Sequence, residues 1–141
     1  NEKMGFVFQN SMLLEDFSAL ENVAMPLMIK GEKKKIALEK AQEYLKMVGI
    51  EERKNHRPIK LSGGERQRTA IARALITEPS VVFADEPTGS LDEKTSRIIE
   101  ELLIESVRKT NRGLILVTHN PVFASKAHKV FVLSNGVLNE K

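Results

Sequence analysis

The 141-residue sequence contains no cysteine, no tryptophan and a single tyrosine. Without cysteine there can be no disulfide, no thiolate metal site and no thiol nucleophile, a usage compatible with a reducing cytosol. No apolar run approaches the roughly 18 to 20 residues that a membrane-spanning helix needs, so any membrane role must come through a partner. A strong excess of one charge is missing too. Lysine and arginine number 22 against 19 aspartates and glutamates, and the excess is scattered along the chain, which leaves no electrostatic footprint for nucleic acid. What is present is 41% hydrophobic residues, enough to bury a real core, at a length that suits one modest domain or part of a larger one. No internal repeat or low-complexity segment is found.

The pattern along the chain is mixed α/β. Met4 to Phe8 is a short apolar run of β-forming residues that opens into a polar connection at Gln9-Asn10-Ser11. Ser18 stands three residues before Glu21, a capping box, and Leu20, Val23, Ala24, Leu27 and Met28 follow at helical spacing, with Pro26 expected to bend or end the helix. The basic KGEKKK run reads as a solvated turn. Leu38, Ala41, Leu45 and Val48 mark a second amphipathic helix stopping at Gly49, and a third, with Ala70, Ile71, Ala74 and Leu75 buried, begins at LSGGERQR and ends before Pro79. Val81 to Glu86 reads as a central parallel strand closing in two acids, and LILVTH as a second buried strand. Between them Ile98, Ile99, Leu102, Leu103 and Val107 form a further helical stripe. Asn120-Pro121 fits the start of a short helix, and Asn135-Gly136 the turn of a terminal hairpin. Strands alternating with helices predict an α/β layer architecture, with a nearly all-helical stretch from about 13 to 76.

Several residues carry possible chemistry. Ser62 and Glu65 form a second capping box, but the two glycines between them are poor helix residues, each costing about 0.5 to 1 kcal/mol relative to alanine. They fit either a plain turn or an anion pressed against bare backbone N–H groups at a helix start. Asp85-Glu86 at a strand end can terminate the strand and cap the next turn, or can divide two tasks, one acid holding Mg²⁺ and the other orienting a water. His119, directly after a strand, can be a capping residue or a catalytic one. Gln9 alone would carry no weight.

Taken in order, Gln9 behind a strand, LSGGERQR (61–68), VVFADEPTGSLD (81–92) and VTH (117–119) make the sequence similar to the nucleotide-binding domain of ABC ATPases, along its whole length. The resemblance implies the carboxyl-side part of a P-loop NTPase (RecA-like) lobe with an inserted α-helical subdomain. Residues 1–12 would be the end of the core strand and the Q-loop, 13–76 the helical subdomain with the signature, and 77–141 the core with Walker B, D-loop and switch histidine. It implies ATP and Mg²⁺ as ligands, with Gln9 touching metal and water, Ser62, Gly63, Gly64 and Glu65 as the signature on the γ-phosphate, and Asp85 as the metal carboxylate. Glu86 would be the catalytic base, Ser90-Leu91-Asp92 the D-loop at a dimer seam, and His119 the γ-phosphate sensor. In this family the signature serves the nucleotide of a second subunit, so a homodimer is expected.

The stretch from Gln9 to Ser62 is long enough for a compact helical lobe and too short for the coiled-coil arms of DNA-repair relatives, which points to a transporter type. Phe6 to Gly31, with Ala84 to Asp92, resembles the bacterial subgroup of lipoprotein-releasing, macrolide-export and cell-division ATPases, the first most closely. That resemblance implies a peripheral subunit on the cytoplasmic face of the inner membrane, docking a permease through about Ser11 to Ile29. A regulatory, non-transporting ATPase and a ribosome-acting one are the alternatives, the latter disfavoured because it usually carries two such domains on one chain. No G-x-x-x-x-G-K-[ST] loop occurs in the sequence, which begins at Asn1 without an initiator methionine. The amino-side part with that loop is therefore expected to lie outside these residues. The 141-residue chain by itself should then neither bind ATP tightly nor turn it over: MgATP hydrolysis by the purified segment is expected at background, and measurable turnover would contradict the reading.

Overall fold

In a computed structural model the chain is described from Lys3 to Lys141. Strand β1 (Met4–Phe8) leads through three helices, α1 (Ala19–Ile29), α2 (Lys34–Met47) and α3 (Gly63–Leu75), into strand β2 (Val81–Asp85). Helix α4 (Glu93–Lys109), strand β3 (Gly113–Val117) and the short helix α5 (Pro121–Ala124) follow, and strands β4 (Phe131–Ser134) and β5 (Val137–Glu140) end the chain. The first three strands form one parallel sheet in the order β1-β2-β3, and the last two an antiparallel hairpin of their own, turned by Asn135 and Gly136, both at positive φ.

The helices begin and end where the side chains dictate. Ser18 caps α1 and Ser62 caps α3, each within a complete capping box closed by Glu21 and Glu65. Gly31 and Gly49, at φ 90° and 71°, end α1 and α2. In each case the glycine N–H and the one after it turn back to carbonyls of the last turn, Met28 and Leu27 for α1, Lys46 and Leu45 for α2. Of the two outcomes expected at Pro26, a bend or an end, the end does not occur. The proline removes one intrahelical bond, but the helix runs on to Ile29 because its packing against α2 and α3 and its glycine-terminated last turn outweigh that loss. The lysine run is likewise only partly a turn, since Lys34 and Lys35 form the exposed start of α2.

The buried residues form one core that runs from the sheet, α3, α4 and α5, where Val7, Ile71, Leu75, Val82, Ile99, Leu103 and Phe123 are almost fully enclosed, into the packing of α1 and α2 on α3. Along the covered face Val7, Ala84 and Leu116 stand in register, and Gly5, Val82 and Leu114 beside them. The other face departs from the expectation of strands buried on both sides. Phe6 pairs with Phe83, which pairs in turn with Ile115, and the two rings stack at 5.2 Å, yet Phe6 is 40% and Ile115 50% exposed. A continuous apolar run allows a layer on each face, and among the described residues only one layer is present.

The covered face depends on a missing side chain. Gly5 sits under α3, where a methyl group would run into the Ala74 carbonyl oxygen and press within 3.1 Å of the Pro79 ring. A backbone carbonyl cannot move aside without shifting the helix. Gly5→Ala is therefore expected to lower stability by about 1 to 3 kcal/mol, read as a fall in the urea midpoint with unchanged slope.

Candidate active site

The parallel sheet ends level. Phe8, Asp85 and Val117 are register partners, so the residues leaving the three strands, Gln9, Glu86 and Thr118-His119, emerge side by side at the carboxyl edge. Open parallel sheets bind ligands at this edge, because every connecting loop starts there and no side chain of the sheet blocks it. Gln9, Asp85, Glu86 and His119 are thus brought together by β-pairing alone.

Glu86 is the most constrained member. Its backbone has φ 44°, a left-handed conformation that a glutamate rarely adopts. Its N–H donates to the Val117 carbonyl at 2.9 Å and its carbonyl accepts from Gly89, so its backbone is held on one side by the end of β3 and on the other by its own loop. One carboxylate oxygen accepts the His119 N–H at 2.6 Å and lies 3.6 Å from the His119 ring Nε2. The His119 side chain is fully exposed, while that of Glu86 is about one-fifth exposed. Asp85, one residue earlier, is exposed at the strand end and forms no ion pair among the described residues. The Gln9 amide lies over Gly89, where a Cβ would come within 2.8 Å of its nitrogen, and the Ser90 hydroxyl donates to the Gln9 carbonyl at 3.3 Å.

The LSGGERQR turn forms the start of α3. Glu65 Oε2 accepts the Ser62 N–H at 2.8 Å and the Ser62 hydroxyl accepts the Glu65 N–H at 3.2 Å. That reciprocal pair accounts for two of the helix's first donors, and the N–H groups of Gly63 and Gly64 find no acceptor among the described residues. The glycines also have a packing reason that spacing alone did not reveal. A Cβ on Gly63 would stand 3.0 Å from Leu91 and one on Gly64 2.7 Å from the Thr95 methyl, so their bare Cα atoms let α3 meet the start of α4. Asp92 caps α4 through the Thr95 N–H at 3.0 Å, and hydrogen bonding to Thr95 holds its carboxyl below the ordinary range. No hydrogen bond joins this turn to Asp85, Glu86 or His119 among the described residues, so the donors and the acids form two separate groups in one chain.

Glu65 is fully engaged by the chain itself. Its second oxygen accepts from the Arg53 guanidinium at 2.9 Å, and the backbone bond from Ser62, followed by the pairing with Arg53, lowers its pKa. Sequence reasoning passed over two further residues of α3. Gln67, fully buried, donates to the Phe8 carbonyl at 2.8 Å, and Arg73 donates to the Ser11 and Met12 carbonyls at 2.7 Å each. Gln67 shares the stripe of Ala70, Ile71 and Ala74, and a polar residue on a buried stripe was the available signal.

The ABC transporter family model matches residues 1–89. The chain is 48% identical to the lipoprotein-releasing system ATP-binding protein LolD of Coxiella burnetii, over all of its own length and 61% of that protein's. It is 49% identical to LolD of Alcanivorax borkumensis, covering 98% of the chain and 60% of the relative. The chain therefore spans about three-fifths of the length of these curated relatives. Among solved structures, the ATP-binding cassette MJ0796, a dimer in a post-hydrolysis state with ADP and Pi, superposes on 99% of the chain and 62% of its own, with a TM-score of 0.85 at 38% identity.

The depressed acidity of Glu65 has a sign that can be tested. A carboxyl whose folded pKa lies below its unfolded value, here near 4.5, adds stability above that pH and loses it as pH falls through the folded pKa. Glu65→Gln should therefore flatten the loss of stability between pH about 5 and about 3, measured as urea midpoints across that range.

Proposed function

Since this chain belongs to the ABC transporter family, we propose that it is the carboxyl-side portion of an ATP-binding subunit whose dimer hydrolyses ATP to drive a membrane permease releasing lipoproteins from the inner membrane. The observation that carries the catalytic part is the clamped Glu86 carboxylate at the carboxyl end of the central strand, beside Asp85 and on the His119 N–H. A carboxylate held this way, open on one side to solvent, is suited to orient a water and accept its proton, while the exposed His119 ring is free to reach the phosphoryl group. The free N–H groups of Gly63 and Gly64, at the positive end of α3, are suited to donate to phosphate oxygens of a nucleotide held by a second subunit. Ser62 orders that turn, and Asp92 orders the neighbouring start of α4 at the dimer seam.

The donors also fit Mg²⁺ in one manner only. Asp85 and the Gln9 amide offer two oxygens, and among the described residues no cluster of three or more His, Cys, Asp or Glu could hold an ion alone. Such a pair suits a cation that completes its shell with water and nucleotide phosphates, as Mg²⁺ does, and that ion would neutralise charge on the phosphates when bound.

The subunit would lie on the cytoplasmic face of the inner membrane, and no helix among the described residues is long and apolar enough to cross one. Within Ser11 to Ile29, Leu13, Ala19, Val23 and Ala24 are buried, which narrows the permease-docking surface to the exposed Met12, Leu14, Phe17 and Ile29. The packing of α1, α2 and α3 on one another supports a helical unit over 13–76 between core segments 1–12 and 77–141. In the full-length subunit, Glu86→Gln is expected to keep ATP binding, to lower hydrolysis by at least about a hundredfold and to accumulate closed dimer. Undiminished turnover would remove Glu86 from the role.

A further inference from the structure

One buried acid takes no part in the chemistry proposed above. Glu100 is 3% exposed, on the inner side of α4. Burying a carboxylate is unfavourable unless its charge is paired and its lone pairs are filled. Here Oε1 accepts from the Asn120 amide at 3.1 Å, and Oε2 lies 3.3 Å from the Lys126 ammonium, which also sits 5.9 Å over the Phe123 ring. Asn120 has a second attachment: its Oδ1 caps α5 by accepting the N–H groups of Val122 and Phe123 at 3.0 and 3.2 Å. It directly follows His119, whose own N–H holds Glu86 at 2.6 Å. An unbroken path therefore runs from the core of α4 to the strand-end acid: Glu100 carboxylate, Asn120 amide, His119 peptide, Glu86 carboxylate.

We propose that Glu100 is a positioning residue for hydrolysis, which through Asn120 fixes the corner whose His119 N–H holds the Glu86 carboxylate. The proposal rests on the role given to Glu86 above. β3 and the buried Phe123 ring hold the two ends of the segment that carries His119, and among the described residues the Asn120–Glu100 bond is the side-chain hydrogen bond that ties the corner between them to α4. A carboxylate that served stability alone would show its loss in the melting temperature and leave kcat unchanged. Loss of a positioning one lowers kcat, because a misplaced base slows chemistry while nucleotide binding proceeds.

The test uses the full-length dimeric subunit and compares Glu100→Gln, Glu100→Ala and Asn120→Ser by kcat, KM for MgATP and melting temperature. Glutamine retains an oxygen for the Asn120 amide and should keep kcat within about threefold of the parent. Alanine removes that oxygen. Serine still caps α5 but is too short to reach Glu100, so it severs the path while sparing the fold. Both should lower kcat by about tenfold with KM little changed, and Asn120→Ser keeps the test decisive should Glu100→Ala fold poorly. Parental kcat in Asn120→Ser, or Glu100→Gln as slow as Glu100→Ala, would overturn the proposal. Glu86→Gln measured alongside separates the two levels: if it is inactive while Asn120→Ser is parental, only the positioning role falls, and if it turns over normally, the assignment of Glu86 falls and this proposal with it.

Discussion

The seating of α3 on β1 is the contact on which the other arrangements depend. Gly5 lets the helix come down until its Ala74 carbonyl lies over the strand, closer than any side chain would allow. At that distance its polar residues become fasteners. Gln67 reaches the end of β1 and Arg73 the loop beyond it, while Arg112, just before β3, donates to the Leu75 carbonyl at the far end of the helix. Each of these bonds joins a side chain to a backbone carbonyl, the pairing that most restricts a loop's path because the acceptor cannot rotate away. The helix that begins with two N–H groups unpaired among the described residues is thus fixed to the loop that carries Gln9. A rigid element tied at both ends can transmit a displacement from one group to the other.

Much of this order was legible in the sequence because it is written locally. The capping boxes at Ser18 and Ser62, the glycine at 49 and the Asn135-Gly136 turn act within a few residues, and each lies where its own chemistry requires. The three parallel strands were recognisable by composition, and the acids and histidine that end them were candidates from position. What spacing could not show depended on partners distant in the chain. Pro26 is tolerated through packing against two other helices, the bonds of Gln67 and Arg73 cross about sixty positions, and the reason for the glycine pair lies at Leu91 and at Thr95 of α4. The open side of the sheet was not legible either, because an apolar strand reports how much it could bury rather than what covers it.

The two candidate groups divide electrostatic labour. Acids gather where helices start, Glu21, Glu65 and Asp92 each satisfying N–H groups of a first turn, and in that setting their negative charge is neutralised by the backbone. Asp85 and Glu86 stand instead at a strand end, where no dipole compensates them, and among the described residues the Glu86 carboxylate meets His119 alone, through its N–H and its ring. The first set is spent on folding, and the second, in the function proposed above, is left for a cationic or proton-bearing ligand. A charge that the fold does not use is the clearest physical mark separating a site residue from a structural one.

The level carboxyl edge of the sheet carries a further consequence for how this protein can change. Because side chains alternate along a strand, sliding β2 by one residue against its neighbours would turn Ala84 outward and bury Asp85, and would lift Glu86 out of reach of the Val117 carbonyl and the His119 N–H. Exchanges of residue type inside β2 leave that alignment intact, whereas one inserted or deleted codon would not. The strand behaves as a ruler, so substitutions there tune the protein while changes of length silence it, even if the core still closes.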